Sequence, residues 1–194
     1  MKSIWTLVIF LIALVSCNDE TERQQASTIT EANSTKTFFP ITNYLKGQIA
    51  QLKQSGINPM RITSVNKKVD TVWLKIEQLD SVFVEFLQPE IDSNNLTGYF
   101  RETKFADQTL NNYTFTYEPS SALPETILLQ KWDIYINPET NTVKRIYMVK
   151  KNKQNQLMQL TWQAGNFSKI VYLNSDGNGN EFVEKEVLVK WKFD

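Results

Sequence analysis

Histidine is absent from this chain and cysteine occurs once. Without imidazole there is no Ser-His-Asp or Cys-His arrangement, no histidine proton shuttle near neutral pH, and no His-ligated zinc, copper or iron. One cysteine cannot form an intramolecular disulfide. Neither sign of charge is in excess, since 21 Lys and Arg face 21 Asp and Glu, whereas a nucleic-acid binder would show a basic surplus. What is present is 194 residues, 41% hydrophobic and 12% aromatic. At about 100–200 residues per domain this is one domain with a substantial core.

The first sixteen residues differ in composition from the rest. Met1-Lys2 supplies a positive start, and Ile4 to Val15 is an almost purely apolar run, the pattern of a secretory signal. A helix of that length spans about 18 Å, short of the ~30 Å hydrocarbon core, so a transmembrane span is a poor fit. Directly after it, Leu14-Val15-Ser16-Cys17 resembles the bacterial lipobox, in which small residues precede a cysteine that receives diacylglycerol before cleavage. The resemblance implies a signal peptide over 1–16 and Cys17 as the lipidated mature N-terminus. It also implies several acyl chains such as palmitate and stable membrane anchoring through that residue. Asn18-Asp19-Glu20-Thr21-Glu22 is similar to the acidic export signal of surface-displayed Bacteroidota lipoproteins, and reads equally as a solvated polar tether. From Asn18 to Thr37 only Ile29 is large and apolar, too little to offset ordering entropy. A flexible tether over 17–37 is expected, with a reach of ~25 Å, ahead of a single domain over 38–194.

Within that domain, Ile41, Tyr44, Leu45, Ile49 and Leu52 recur at helical spacing, with Gly56 as a stop. A short extended piece, Arg61 to Val65, and a Lys67-Lys68 turn follow. Val72, Trp73, Ile76, Leu79, Phe83, Phe86 and Leu87 make a second helical stripe ended by Pro89. Val69 to Leu74 are β-branched enough to read also as a strand leading into that helix. After Asn94 the period changes to two, in Tyr113-Phe115-Tyr117, Trp132-Ile134-Ile136, Met158-Leu160-Trp162 and Val187-Val189-Trp191-Phe193. Turn signals separate these runs, including Asn137-Pro138, Gly165-Asn166 and Asp176-Gly177-Asn178-Gly179. The expectation is an α+β domain: two N-terminal amphipathic helices packed on a C-terminal antiparallel meander of about seven strands, open or curved into a half-barrel.

The motifs that carry chemistry match poorly. Asp176, Asn178 and Asn180 occupy calcium-loop positions one, three and five. Glu181 stands where the loop needs glycine, and Val187 where it needs a bidentate glutamate. A Gly/Asn hairpin turn explains the segment better. Ser64-Val65-Asn66-Lys67 fits Ser-x-x-Lys, and Ser175-Asp176-Gly177 resembles the second element of the penicillin-binding family. The required Lys-Thr-Gly strand and nucleophile helix are lacking. Carboxylates alone can hydrolyse glycosidic bonds. The candidates are Glu85, Glu90 and Asp92, and Glu181, Glu184 and Glu186. Asp70-Thr71-Val72 and Asp80-Ser81-Val82 resemble the O-glycosylation pattern of exported Bacteroidota proteins, which implies Thr71 and Ser81 as acceptors. Lys150-Lys151-Asn152-Lys153 reads as a solvated hairpin tip able to meet anionic head groups. Tyr113, Phe115, Trp132, Trp162 and Trp191 could line a hollow for an apolar ligand, although aromatic rows are packing first.

Phe86-Leu87-Gln88-Pro89-Glu90-Ile91-Asp92, Tyr113 to Glu118 and Ile136 to Thr140 look like uncharacterised envelope lipoproteins of Bacteroidota. The resemblance implies a cell-envelope location, most simply the outer membrane on its periplasmic face or surface, and no defined activity. The expected function is a non-enzymatic, lipid-anchored binding or structural module, with the membrane and an envelope protein, polymer or lipid as partners. Neither nucleic acid nor any cofactor is expected. The alternatives are a carrier of a lipid or acyl chain and, as a lesser option, a carboxylate-dependent glycan hydrolase.

Overall fold

The structure is a computed structural model and describes residues 38–91, 96, 98–107 and 111–193. The signal peptide, Cys17, the tether and the carboxylate of Asp92 lie outside the described residues. All described residues belong to one compact unit.

Among the described residues the one long helix is α1, Ile41–Gln54. Ile41, Leu45, Ile49 and Leu52 form a single stripe at the 3.6-residue period, and all four are buried. Thr42 is buried beside them, and its Oγ1 accepts the Ile91 N–H at 2.8 Å. That bond fixes the later segment against the helix. Gly56, at φ 68°, terminates the turn in the left-handed region that glycine adopts without strain.

β1 (Met60–Val65) and β2 (Lys68–Trp73) form an antiparallel hairpin. The connecting Asn66 and Lys67 have φ of 49° and 66°, the sign a type I′ turn requires at both central residues. This hairpin overturns the expected α+β class. Val72 and Trp73, read as the start of a second amphipathic helix, instead end a strand. The ambiguity over 69–74 is thereby resolved as strand up to Trp73. From Ile76 the chain makes only a 3-10 turn (Ile76–Gln78) and two four-residue helices, α2 (Leu79–Val82) and α3 (Val84–Leu87). The reason is local. Val69, Thr71 and Val72 are β-branched and stiff at χ1, and the tight turn brings β1 alongside them, so their backbone groups satisfy a ladder instead of a helix. Further on, Phe83, at φ −98° and ψ 8°, interrupts the helix between α2 and α3. Leu79, Phe83 and Phe86 still point inward, which is why the spacing imitates one continuous helix.

The fold is therefore mainly β. Seven further strands follow: β3 (Phe100–Asp107), β4 (Asn112–Pro119), β5 (Leu129–Ile136), β6 (Val143–Lys151), β7 (Leu157–Gln163), β8 (Phe167–Ser175) and β9 (Glu181–Lys190). The sheet has nine strands, not seven, because the β1–β2 hairpin docks on β9 and extends the meander: β2-β1-β9-β8-β7-β6-β5-β4-β3. Every pairing is antiparallel. β2 and β3 are its two edges, so the sheet is open.

Register decides the faces. Tyr117, Trp132, Met148, Leu160 and Ile170 are successive cross-strand partners, and all are buried in the cluster that also holds the α1 stripe, Leu79, Phe83 and Phe86. The opposite face carries polar and charged groups, among them Asp133, which accepts the Thr116 hydroxyl at 2.7 Å, and Arg145, whose guanidinium lies 4.0 Å from the Tyr135 ring centre.

Candidate functional site

The five aromatics considered for a hollow are distributed unevenly. Trp132 is stacked on Tyr117 at 4.7 Å and 10°, with Phe100 and Phe38 at 4.7 and 5.7 Å. Trp162 is enclosed by Phe83, Phe86 and Trp191 at 5.1, 5.5 and 5.0 Å. These are ordinary spacings of packed rings, and Trp132, Trp162 and Trp191 are buried. Phe115 packs at the margin of the core, and Tyr113 is 46% exposed. The tryptophans thus fill the space beneath the sheet. Tyr117 donates to Glu102 Oε2 at 2.5 Å and accepts the Phe39 N–H at 3.3 Å. Burial, reinforced by Glu102, pushes its phenol well above the ordinary value.

Open space lies at the rim. A cavity of about 440 Å³ opens where α3 and the Gln88-Pro89 segment meet the β4–β5 loop, the end of β6, the start of β7 and the later half of β8. Leu96, Ile127, Leu128, Met158 and Tyr172 give it an apolar floor. Its polar side is built on Lys150. This side chain follows Ile146 and Met148 in inward alternation on β6 and is 4% exposed. Its ammonium donates to the Glu85 carbonyl at 2.6 Å and the Gln88 carbonyl at 2.7 Å, and pairs with Glu85 Oε2 at 2.6 Å. All three protons are committed. The expectation of a wholly solvated basic tip over 150–153 is corrected accordingly: Lys150 clamps α3 to the sheet, and only Lys151 and Lys153 face the mouth.

Asn152 holds the loop that carries those two lysines. Its Oδ1 accepts the N–H groups of Gln154 and Gln156, both at 2.9 Å. Tyr172, on the cavity floor, has its phenol pushed up by burial and then by the nearby Glu85 charge, and Lys185 lies 5.1 Å from the centre of its ring. Beside this cavity, a second cleft of about 630 Å³ shares the Lys151-Asn152-Lys153 ridge and runs under Leu123-Pro124-Glu125.

The other candidates are dispersed. Glu85 pairs with Lys150, Glu90 with Lys46, and Glu186 with Lys169, while Glu184 accepts from Gln156. Asp176 uses Oδ1 for the Asn178 and Asn180 N–H groups and Oδ2 for the Asn180 amide. Those bonds, the Asn180 amide first, hold its carboxyl below the usual range. Among the described residues no three metal-type side chains converge. Ser64 lies on β1 and Lys67 in the following turn, so the Ser-x-x-Lys pair is not on a helix. Thr71 is exposed on the edge strand β2, and Ser81 is exposed in α2 with its hydroxyl donating to the Gln78 carbonyl at 2.8 Å.

Sequence reasoning passed over Lys150 and Glu85 as a pair. The signal for Lys150 was its place in the inward alternation of β6. Glu85 carried no such signal, because the pairing spans the chain between α3 and β6. Comparison with protein-family models, curated proteins and solved structures finds no match.

Proposed function

We propose that the chain is a lipid-anchored envelope module that acts by binding, and that it meets its ligand at the rim of the β domain. The anchor rests on the signal-like start and the lipobox resemblance ending at Cys17. The observation that carries the binding mode is the filled core. Trp132, Trp162 and Trp191 pack against one another or against Phe83, Phe86 and Phe100, so these rings occupy the interior, and the rim cavity combines an apolar floor with fixed polar groups, as ligand sites do. Replacing Cys17 with Ser tests the anchor. The chain is expected to leave the membrane fraction and its processing to lose sensitivity to globomycin; a membrane-bound, globomycin-sensitive Cys17→Ser species would sink the proposal. Photo-crosslinking in intact cells from Thr126, which lines the cavity, is expected to capture a ligand or partner that a probe at Thr103, in the middle of the edge strand β3, does not.

A further inference from the structure

The rim cavity is specific enough to name a ligand class. Its volume of about 440 Å³ falls in the range of about 300–1,000 Å³ typical of small-molecule sites. Chemically it is two-sided. Ile127, Leu128 and the Tyr172 ring offer apolar surface above the buried Met158, while the charges among the described lining residues are three lysines against one carboxylate. That carboxylate, Glu85, is already engaged by Lys150. Lys151 and Lys153 have no ion-pair partner among the described residues, and the Asn152-centred bonds hold the backbone of the loop from which they project. An apolar slot whose mouth carries Lys151 and Lys153, against the single carboxylate of Glu125 in the adjoining cleft, complements a ligand with an apolar tail and an anionic head.

We infer that the cavity binds a single-chain anionic amphiphile, with its tail along Leu128, Met158 and Tyr172 and its phosphate or carboxylate head at Lys151 and Lys153. Lys150 is a positioning residue here, since its protons are spent on Glu85 and two carbonyls; it holds the wall from which the tail slot is built. A single chain suits a slot of this volume, and the free lysines select against cationic heads. The inference deepens the binding proposal above and rests on it.

The test uses the full chain in phosphatidylcholine nanodiscs with a diazirine-bearing dodecyl phosphate. Photolabel is expected on the segments holding Ile127-Leu128 and Met158. Plain alkyl phosphates should compete with Kd falling about fourfold per added methylene until the slot is filled, and dodecyltrimethylammonium should not compete. The double variant Lys151→Glu/Lys153→Glu, on the loop, should weaken labelling at least tenfold, or about 1.4 kcal/mol. Thr126→Trp, at an exposed position on the mouth, should block it. Unchanged thermal midpoints show that both variants are folded, and if one unfolds the other decides. Equal competition by the cationic amphiphile, label outside the cavity, or wild-type labelling of both variants would overturn the inference. Competition by phosphatidylglycerol in the nanodisc as strong as by the single chain would overturn it in favour of the membrane surface. Failure here with Cys17-dependent anchoring and Thr126 capture intact removes the ligand class only; failure of all three removes the binding proposal as well.

Discussion

Lys150 illustrates how burial changes the role of a charge. A lysine with 5% of its side chain exposed must be compensated, and two carbonyls and a carboxylate supply that. Lys150→Met leaves both carbonyls without their donor and is expected to lower stability by about 1–3 kcal/mol in urea unfolding. Glu85→Gln should cost less than about 1 kcal/mol, because the Glu85 side chain is 41% exposed and solvent already screens it. The backbone acceptors, more than the ion pair, hold α3 down. Tyr117 gives a prediction in pH. Its folded-state pKa is raised above the ordinary 10.0, so its contribution is complete below pH 10 and is lost at higher pH, as the unfolded phenol ionises before the folded one. Stability should fall from about pH 10 upward, and Tyr117→Phe should flatten that fall in alkaline denaturation curves. Asp176 behaves in the opposite sense. Its pKa is lowered, so the loop bonds it accepts are present at neutral pH and disappear as pH drops below the usual carboxylate value. The Asn178 and Asn180 amide resonances should titrate together at a midpoint below 3.8.

At the scale of elements, the β1–β2 hairpin decides the fold class. Its turn puts Lys67 at φ 66°, where a side chain costs roughly 1–2 kcal/mol relative to glycine. Lys67→Gly is accordingly expected to stabilise the protein by up to about 1 kcal/mol, read as a rise in the thermal midpoint, whereas Asn66→Val should destabilise by a similar amount. The helix α1 was legible from residues 41–52 because its stripe and its glycine stop agree. The segment 72–87 was not, because a strand end followed by two helical turns can reproduce a 3.6-residue stripe when each piece turns a residue inward. Local spacing does not distinguish one long helix from several short ones; the ladder from Val69 to Trp73 does.

Across the whole molecule, the two tryptophan-centred clusters belong to one core. Cutting either should unfold all of it. Trp162→Ala is expected to cost about 3–5 kcal/mol, with tryptophan fluorescence and far-ultraviolet circular dichroism reporting one coincident transition; separate transitions would show that the clusters stabilise different parts. The amino-acid sequence by itself determined the chemistry that is excluded, since neither imidazole nor a second thiol exists to be placed. It also determined where the chain turns and which residues alternate, because Asn, Gly and Pro act on backbone dihedrals and side-chain periodicity acts over a few residues. Only the tertiary structure decided that the hairpin joins the sheet, that Trp132, Trp162 and Trp191 fill the core while Tyr113 is left exposed, and that Lys150 and Glu85 close one wall of a cavity. Those outcomes depend on pairings between distant segments, whose energies come from burial and partner geometry that no local pattern encodes.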